Sequence, residues 1–142
     1  LVAPGNVYTL PNVENEHAQQ TAVVVDYHQV NAAGSLLPRL SIFSISEWSD
    51  IHLELFQQPK FDTAEHQHPM HVIACGLPNS PEHHSTEAGA RWLDGKRQQE
   101  PPHIGDIAII PAGTAHRCSW DTPAQFVVLA IEPTLLQRVG QD

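Results

Sequence analysis

Basic residues are scarce in this chain: seven Lys and Arg stand against sixteen Asp and Glu, for a net charge of -9 at pH 7. Phosphate contacts need a basic face, so direct nucleic-acid binding by this chain is not expected. Cysteine is nearly missing as well. Cys75 and Cys118 are its only two, too few for a disulfide framework, and they fit the reducing environment of a cytoplasmic protein. No stretch approaches the ~20 apolar residues of a membrane span, and no signal peptide is visible, so no membrane partner is expected. Internal repeats and heptads are also lacking, which excludes solenoids and coiled coils.

What is plentiful is punctuation. Twelve prolines and eight glycines divide 142 residues into short β-branched runs. That length is one domain, large enough to bury a core of its own, and the pattern points to all-β structure. Residues 1–20 are polar, carry Pro4, Gly5 and Pro11, and read as an irregular arm. Strands are expected over residues 21–27, 40–45, 51–57, 70–75 and 125–131, with a turn or short helical piece over 31–38. In the third of these, Ile51, Leu53 and Leu55 alternate with His52, Glu54 and Phe56. Asp94-Gly95 is the favoured two-residue type I′ hairpin turn between Arg91-Trp92-Leu93 and Lys96-Arg97. Pro133 suits the first turn of a helix, and the chain reaches only about one turn further. The expected organisation is therefore an arm (1–20), a β-barrel (21–132), and the start of a helix or linker (133–142) to a further domain.

The chemistry concentrates in two places. Gly105 frees the chain to enter the apolar run Ile107-Ala108-Ile109-Ile110, Pro111 and Gly113 end it, and His116 begins a returning strand. His116, Cys118 and Trp120 share one face of that strand at a period of two. Upstream, His66-Gln67-His68 places two imidazoles on one face of an extended segment. Eight or so short strands imply a sandwich or barrel, with the two histidine-bearing strands expected to face each other across its interior.

The order Gly105, Pro111, Gly113, His116 after a His-x-His pair resembles the two signatures of the cupin superfamily. The likeness departs in three places. Lys60 stands at the glycine of the first signature, Val72 or Ile73 at its glutamate, and Trp120 at the asparagine of the second. More narrowly, His66-x-His68, the Arg91–Arg97 hairpin, residues 105–116, Trp120-Asp121 and Glu132-Pro133 resemble the N-terminal domain of AraC-type transcriptional regulators, over roughly residues 22–139. Leu37-Pro38, Trp48 and Glu65-His66 look similar too. The resemblance implies an all-β cupin barrel (a jelly roll or double-stranded β-helix) with a short C-terminal helix. It also implies a domain that binds a small effector and dimerises, while a separate C-terminal domain with helix-turn-helix units reads DNA.

His66, His68 and His116 could together hold Zn²⁺, Fe²⁺ or Ni²⁺. His71 points away by strand parity, and Cys118 is a substitute fourth ligand at best. The same imidazoles serve equally as polar walls of an effector pocket, with Trp120 as an aromatic contact. The first reading makes a stand-alone metal-dependent enzyme, the second a sensor without turnover; the missing glutamate favours the sensor, and no catalytic residue is expected. His83 and His84 read as solvated loop, and His17, His28, His52 and His103 have no spaced partner. Trp92 is expected to pack across its hairpin and Trp48 to pack against the barrel. Arg91, Lys96 and Arg97 read as a soluble hairpin tip.

Overall fold

The computed structural model describes residues 23–78, 89–98, 105 and 107–141. The arm expected over residues 1–20, the loop histidines His83 and His84, and His103 lie outside the described residues. Among the described residues, eleven strands form two sheets: β1 (Val23–Val24), β2 (Phe43–Ile45), β3 (Ile51–Gln58), β4 (Phe61–Asp62), β5 (His66–Gln67), β6 (His71–Leu77), β7 (Gly89–Leu93), β8 (Lys96–Arg97), β9 (Ile107–Ile110), β10 (His116–Trp120) and β11 (Ala124–Ile131), followed by helix α1 (Pro133–Val139). One sheet runs β1-β5-β10-β7-β8 with β4 also on β10, and the other runs β2-β3-β11-β6-β9. None of the helices among the described residues is long and apolar enough to cross a membrane.

The second sheet is built around β11, which pairs with β3 along its full eight residues and with β6 on its other side. Its inner face carries Phe56, Val72, Ala108, Ile110, Val128 and Ala130, which join Val25, Tyr27 and Met70 in one buried cluster. Leaving the outer face apolar is unusual. In register, Ile45, Leu53, Leu129, Ile73 and Ile109 form one row across all five strands, and Phe43, Leu55, Val127, Cys75 and Ile107 form the next. Ile107 and Ile109 are 65% and 64% exposed, so the short apolar run of β9 is buried on one side only.

The hairpin turn forms as expected, with φ of 48° at Asp94 and 73° at Gly95, the two positive values that a type I′ turn requires. Other expectations need correction. The first strand is described only over Val23–Val24 and does not continue to Tyr27. Beyond it, the Val25 carbonyl is taken by a side chain, His68, instead of a ladder partner. The short helical piece expected over 31–38 forms as a 3₁₀ turn at Ala32–Ser35, whereas the strand expected over 40–45 shortens to Phe43–Ile45. Trp48 does not pack: it is 54% exposed in the bend between β2 and β3. Trp92 does pack across its hairpin, facing Arg97 with the guanidinium 6.0 Å from its ring centroid, while Arg117 of β10 lies 3.7 Å from the same centroid. The strands bearing His66 and His116 are not opposed across the interior; β5 and β10 are neighbours in one sheet.

Candidate functional site

His66 and His116 each open a strand, and they are direct cross-strand partners. Cross-strand partners sit within about 4.5–5.5 Å at Cβ, so the pairing alone brings the two rings together. Period two then returns His68 to the face of His66. The ring centroids lie 4.1 Å apart for His66 and His116, 5.1 Å for His66 and His68, and 5.9 Å for His68 and His116. All three residues are buried, and their ligand nitrogens lie within 4.8 Å of one another.

The backbone fixes which nitrogen faces inward. His66 Nδ1 donates to Ala64 O at 2.8 Å and His68 Nδ1 to Val25 O at 3.0 Å. A carbonyl only accepts, so each Nδ1 carries the proton and each Nε2 keeps its lone pair. The turn after β9 holds this arrangement from the other side. Gly113, with φ of 77°, donates its N–H to His68 O at 2.8 Å, and Ala112 N–H donates to His71 Nδ1 at 3.0 Å. His71 is thereby engaged outside the trio, as strand parity requires.

Burial holds His66 below the ordinary imidazole range. Burial, and then the charge of His66, pushes His68 down to about 4. Burial pushes His116 down to about 3, with the charges of His66, His68 and Arg91 adding to it. At neutral pH all three rings are uncharged ligands. Nitrogens held tetrahedrally at about 2.1 Å from one ion lie about 3.4 Å apart, so the three rings would have to close by up to about an ångström to share an ion, with further coordination positions left open. Carbonyl-anchored Nδ1 atoms are also the usual outer support of metal-binding histidines. His116 Nδ1 is the exception, buried without a hydrogen-bond partner among the described residues. The trio thus fits a divalent transition metal such as Zn²⁺, Fe²⁺ or Ni²⁺.

The other expected residues sit further off. Val72, at the place of the family's glutamate, is 2% exposed in the apolar core. Cys118 is not part of the metal-capable group. Its thiol, pushed up by burial, lies 3.8 Å from Thr63 Oγ1 and next to Trp120. Trp120 pairs with Gly89 at the far end of β10 from His116. Three residues without an expected role lie close to the trio's side of the barrel. Tyr27 stacks on His68 at 5.4 Å and on His52 at 5.5 Å, and His52 lies 3.7 Å from the buried carboxylate of Glu54. Burial, followed by the Glu54 charge, keeps the Tyr27 phenol well above its usual range. Parity puts His52 and Glu54 on one face of their strand, but no sequence signal says that this face is the inner one.

No family model matches the chain, and no curated protein does. Solved structures do. A cupin superfamily protein from Desulfitobacterium hafniense aligns over 72% of this chain and 89% of its own, with 13% identity and a TM-score of 0.52. A cupin 2 conserved barrel domain protein from Salinispora arenicola aligns over 70% and 81%, with 19% identity and a TM-score of 0.48. KdgF from a Halomonas species aligns over 66% and 80%, with 14% identity and a TM-score of 0.47. At such identities likeness speaks of fold alone, and with two sheets, one short helix and the first of these neighbours, the fold of this chain is the cupin β-barrel.

Proposed function

We propose that this chain is a small-molecule sensing domain, in which His66, His68 and His116 hold a divalent metal that anchors an effector inside the barrel. The observation carrying this reading is the convergence of three buried, neutral imidazoles, two of them locked by backbone carbonyls with Nε2 free. Binding is favoured over catalysis because Val72, an apolar residue, stands where the resembled first signature carries its glutamate. The trio itself contains no carboxylate. A Co²⁺ titration followed by visible absorption tests the site. One ion per chain, lost in His116→Ala, supports the reading, and a folded protein that ignores Co²⁺ refutes it. The enzyme reading would instead need turnover of a substrate by the metal-loaded chain, since three ligands leave coordination positions open.

The sensing domain belongs, on this proposal, to a regulator of AraC type. Support comes from the resemblance carried by residues 91–116 and from the acidic balance, which leaves DNA reading to another domain. Reading the gene beyond Asp142 tests it. A following segment of ~100 residues with two helix-turn-helix patterns and a basic balance supports the assignment; its absence removes it. The domain assembles as a homodimer, a reading supported by the two apolar rows on the outer face of the β2-β3-β11-β6-β9 sheet.

A further inference from the structure

Helix α1 is held to the barrel mainly by polar ties. None of its residues is buried; Pro133 and Leu135 are half-buried, while Leu136 and Val139 are exposed. Glu132 stands at its N-cap, where a carboxylate suits the positive end of a helix, yet its side chain makes no capping bond. Its backbone N–H donates to Asp50 O at 2.9 Å, and Arg138 Nη2 donates to Asp50 Oδ2 at 2.6 Å. The Glu132 carboxylate turns instead to His28 Nε2.

His28 has a carboxylate at each nitrogen of its ring. Asp26 Oδ1 lies 2.6 Å from Nδ1 and also accepts the His28 backbone N–H at 3.0 Å, while Glu132 Oε1 meets Nε2. An ionised carboxylate only accepts, so both contacts are hydrogen bonds only when both ring nitrogens carry protons. The geometry therefore selects the imidazolium. Asp26 and Glu132 are the charged groups that act on the ring. The hydrogen bond to Asp26, with both charges adding to it, raises His28 above the ordinary imidazole value against the opposing effect of burial. The His28 backbone N–H in turn holds the Asp26 carboxyl below its usual range.

The residue between Asp26 and His28 points the other way. Tyr27 is buried and stacks on His68, and the Val25 carbonyl accepts from His68 Nδ1. Residues 25–28 thus form one segment whose inner side backs the trio and whose outer side grips the start of α1. We infer that His28 is a pH-sensitive latch: protonated, it ties Asp26 to Glu132 and docks α1 on this segment; neutral, it leaves α1 to its Asp50 ties. A neutral ring has one N–H, so it serves one carboxylate while its lone pair faces the other, and a bond becomes a repulsion. Ion pairs at partly exposed positions are weak singly, but a helix that buries no residue is sensitive to the loss of one. The tie is complete below about pH 6.5 and is lost as the pH rises through the higher value His28 holds in the fold. Release is local: the core cluster lies between the sheets and contains no residue of α1, so the change is read at the helix and not in the melting of the barrel. The latch needs no metal, so it stands or falls apart from the trio.

An NMR titration of the full chain from pH 5.5 to 9 tests the latch, read at the His28 ring and at the α1 amides, with amide exchange corrected for its intrinsic dependence on pH. His28 is expected to titrate above the ordinary value of about 6.5, and the α1 amide shifts to follow with the same midpoint. Corrected exchange in α1 should speed at least threefold once His28 is neutral. His28→Gln keeps a polar side chain that does not titrate, so its α1 signals should stay constant across this range and match those of the wild type at pH 9. Glu132→Gln leaves Asp26 on Nδ1, so His28 should still titrate while the α1 amides no longer follow it. A His28 midpoint at or below about 6.5, α1 signals that ignore pH in the wild type, or α1 signals that follow pH equally in His28→Gln each overturn the latch.

Discussion

In the unfolded chain His68 and His116 titrate near the ordinary imidazole value of about 6.5, whereas the fold holds them at about 4 and about 3. Between those limits the unfolded state binds more protons than the folded one. Stability is therefore complete above about pH 6.5, falls as the pH drops through this window, and levels off below about pH 3. Calorimetry should show a Tm that is flat from pH 8 to 7 and declines below 6.5, with a shallower decline in His116→Asn. Metal acts on the same groups in the opposite sense. A site that binds Zn²⁺ only when folded should gain about 2.7 kcal/mol at a free ion concentration a hundredfold above Kd, a gain reversed by chelator and absent in His116→Ala. These three histidines were legible in the sequence because their spacing has a geometric meaning: period two for His66 and His68, and a glycine-proline-glycine turn before His116. Tyr27, His52 and Glu54 were not legible. Their importance depends on which face of β3 turns inward, and hydrophobic patterning points Ile51, Leu53 and Leu55 to the core instead.

At the scale of elements, the turn between β9 and β10 does the positioning. Gly113 has φ of 77° and open space where a Cβ would go, so Gly113→Ala meets backbone strain and not a clash. That strain is worth about 1–2 kcal/mol, measurable by denaturant unfolding. Because the Gly113 N–H holds the His68 carbonyl, the same variant should also weaken Co²⁺ binding by several-fold. On the opposite flank of the site, Thr63 clamps the strand bearing His116. Its Oγ1 accepts from Cys118 N–H at 2.9 Å and lies 3.3 Å from Cys118 O as a donor. Thr63→Val keeps the shape and should cost about 1–2 kcal/mol, since it leaves a backbone N–H unpaired near a buried position. Turn-defined elements such as the Asp94-Gly95 hairpin and β9 can be read from sequence because local dihedral preferences fix them. The end of β1 cannot, since a side chain more than forty residues away, His68, takes the Val25 carbonyl.

For the molecule as a whole, the class of fold follows from strand count and turn spacing, but strand adjacency does not. Placing β5 next to β10 instead of opposite it requires pairing between residues fifty apart, which no local pattern encodes. The same holds for the outer surface. The run Ile107-Ala108-Ile109-Ile110 is apolar at every position, yet β9 is the edge of its sheet and turns Ile107 and Ile109 outward. Those two end the apolar rows that cross all five strands, and Phe43, 50% exposed, begins one of them. Monomeric proteins seldom leave so continuous an apolar sheet face to water. A second copy would meet it with a surface of the same shape, as a two-fold interface requires. Light scattering after size exclusion should therefore give a dimer for the wild-type chain and a monomer for Ile109→Glu. Ile109 touches little within its own chain, so the substitution should change the monomer's intrinsic stability by only about 0.5 kcal/mol or less, and an unchanged circular dichroism spectrum would separate lost pairing from lost fold. A wild-type monomer, or a variant that remains dimeric, removes this face from the assembly.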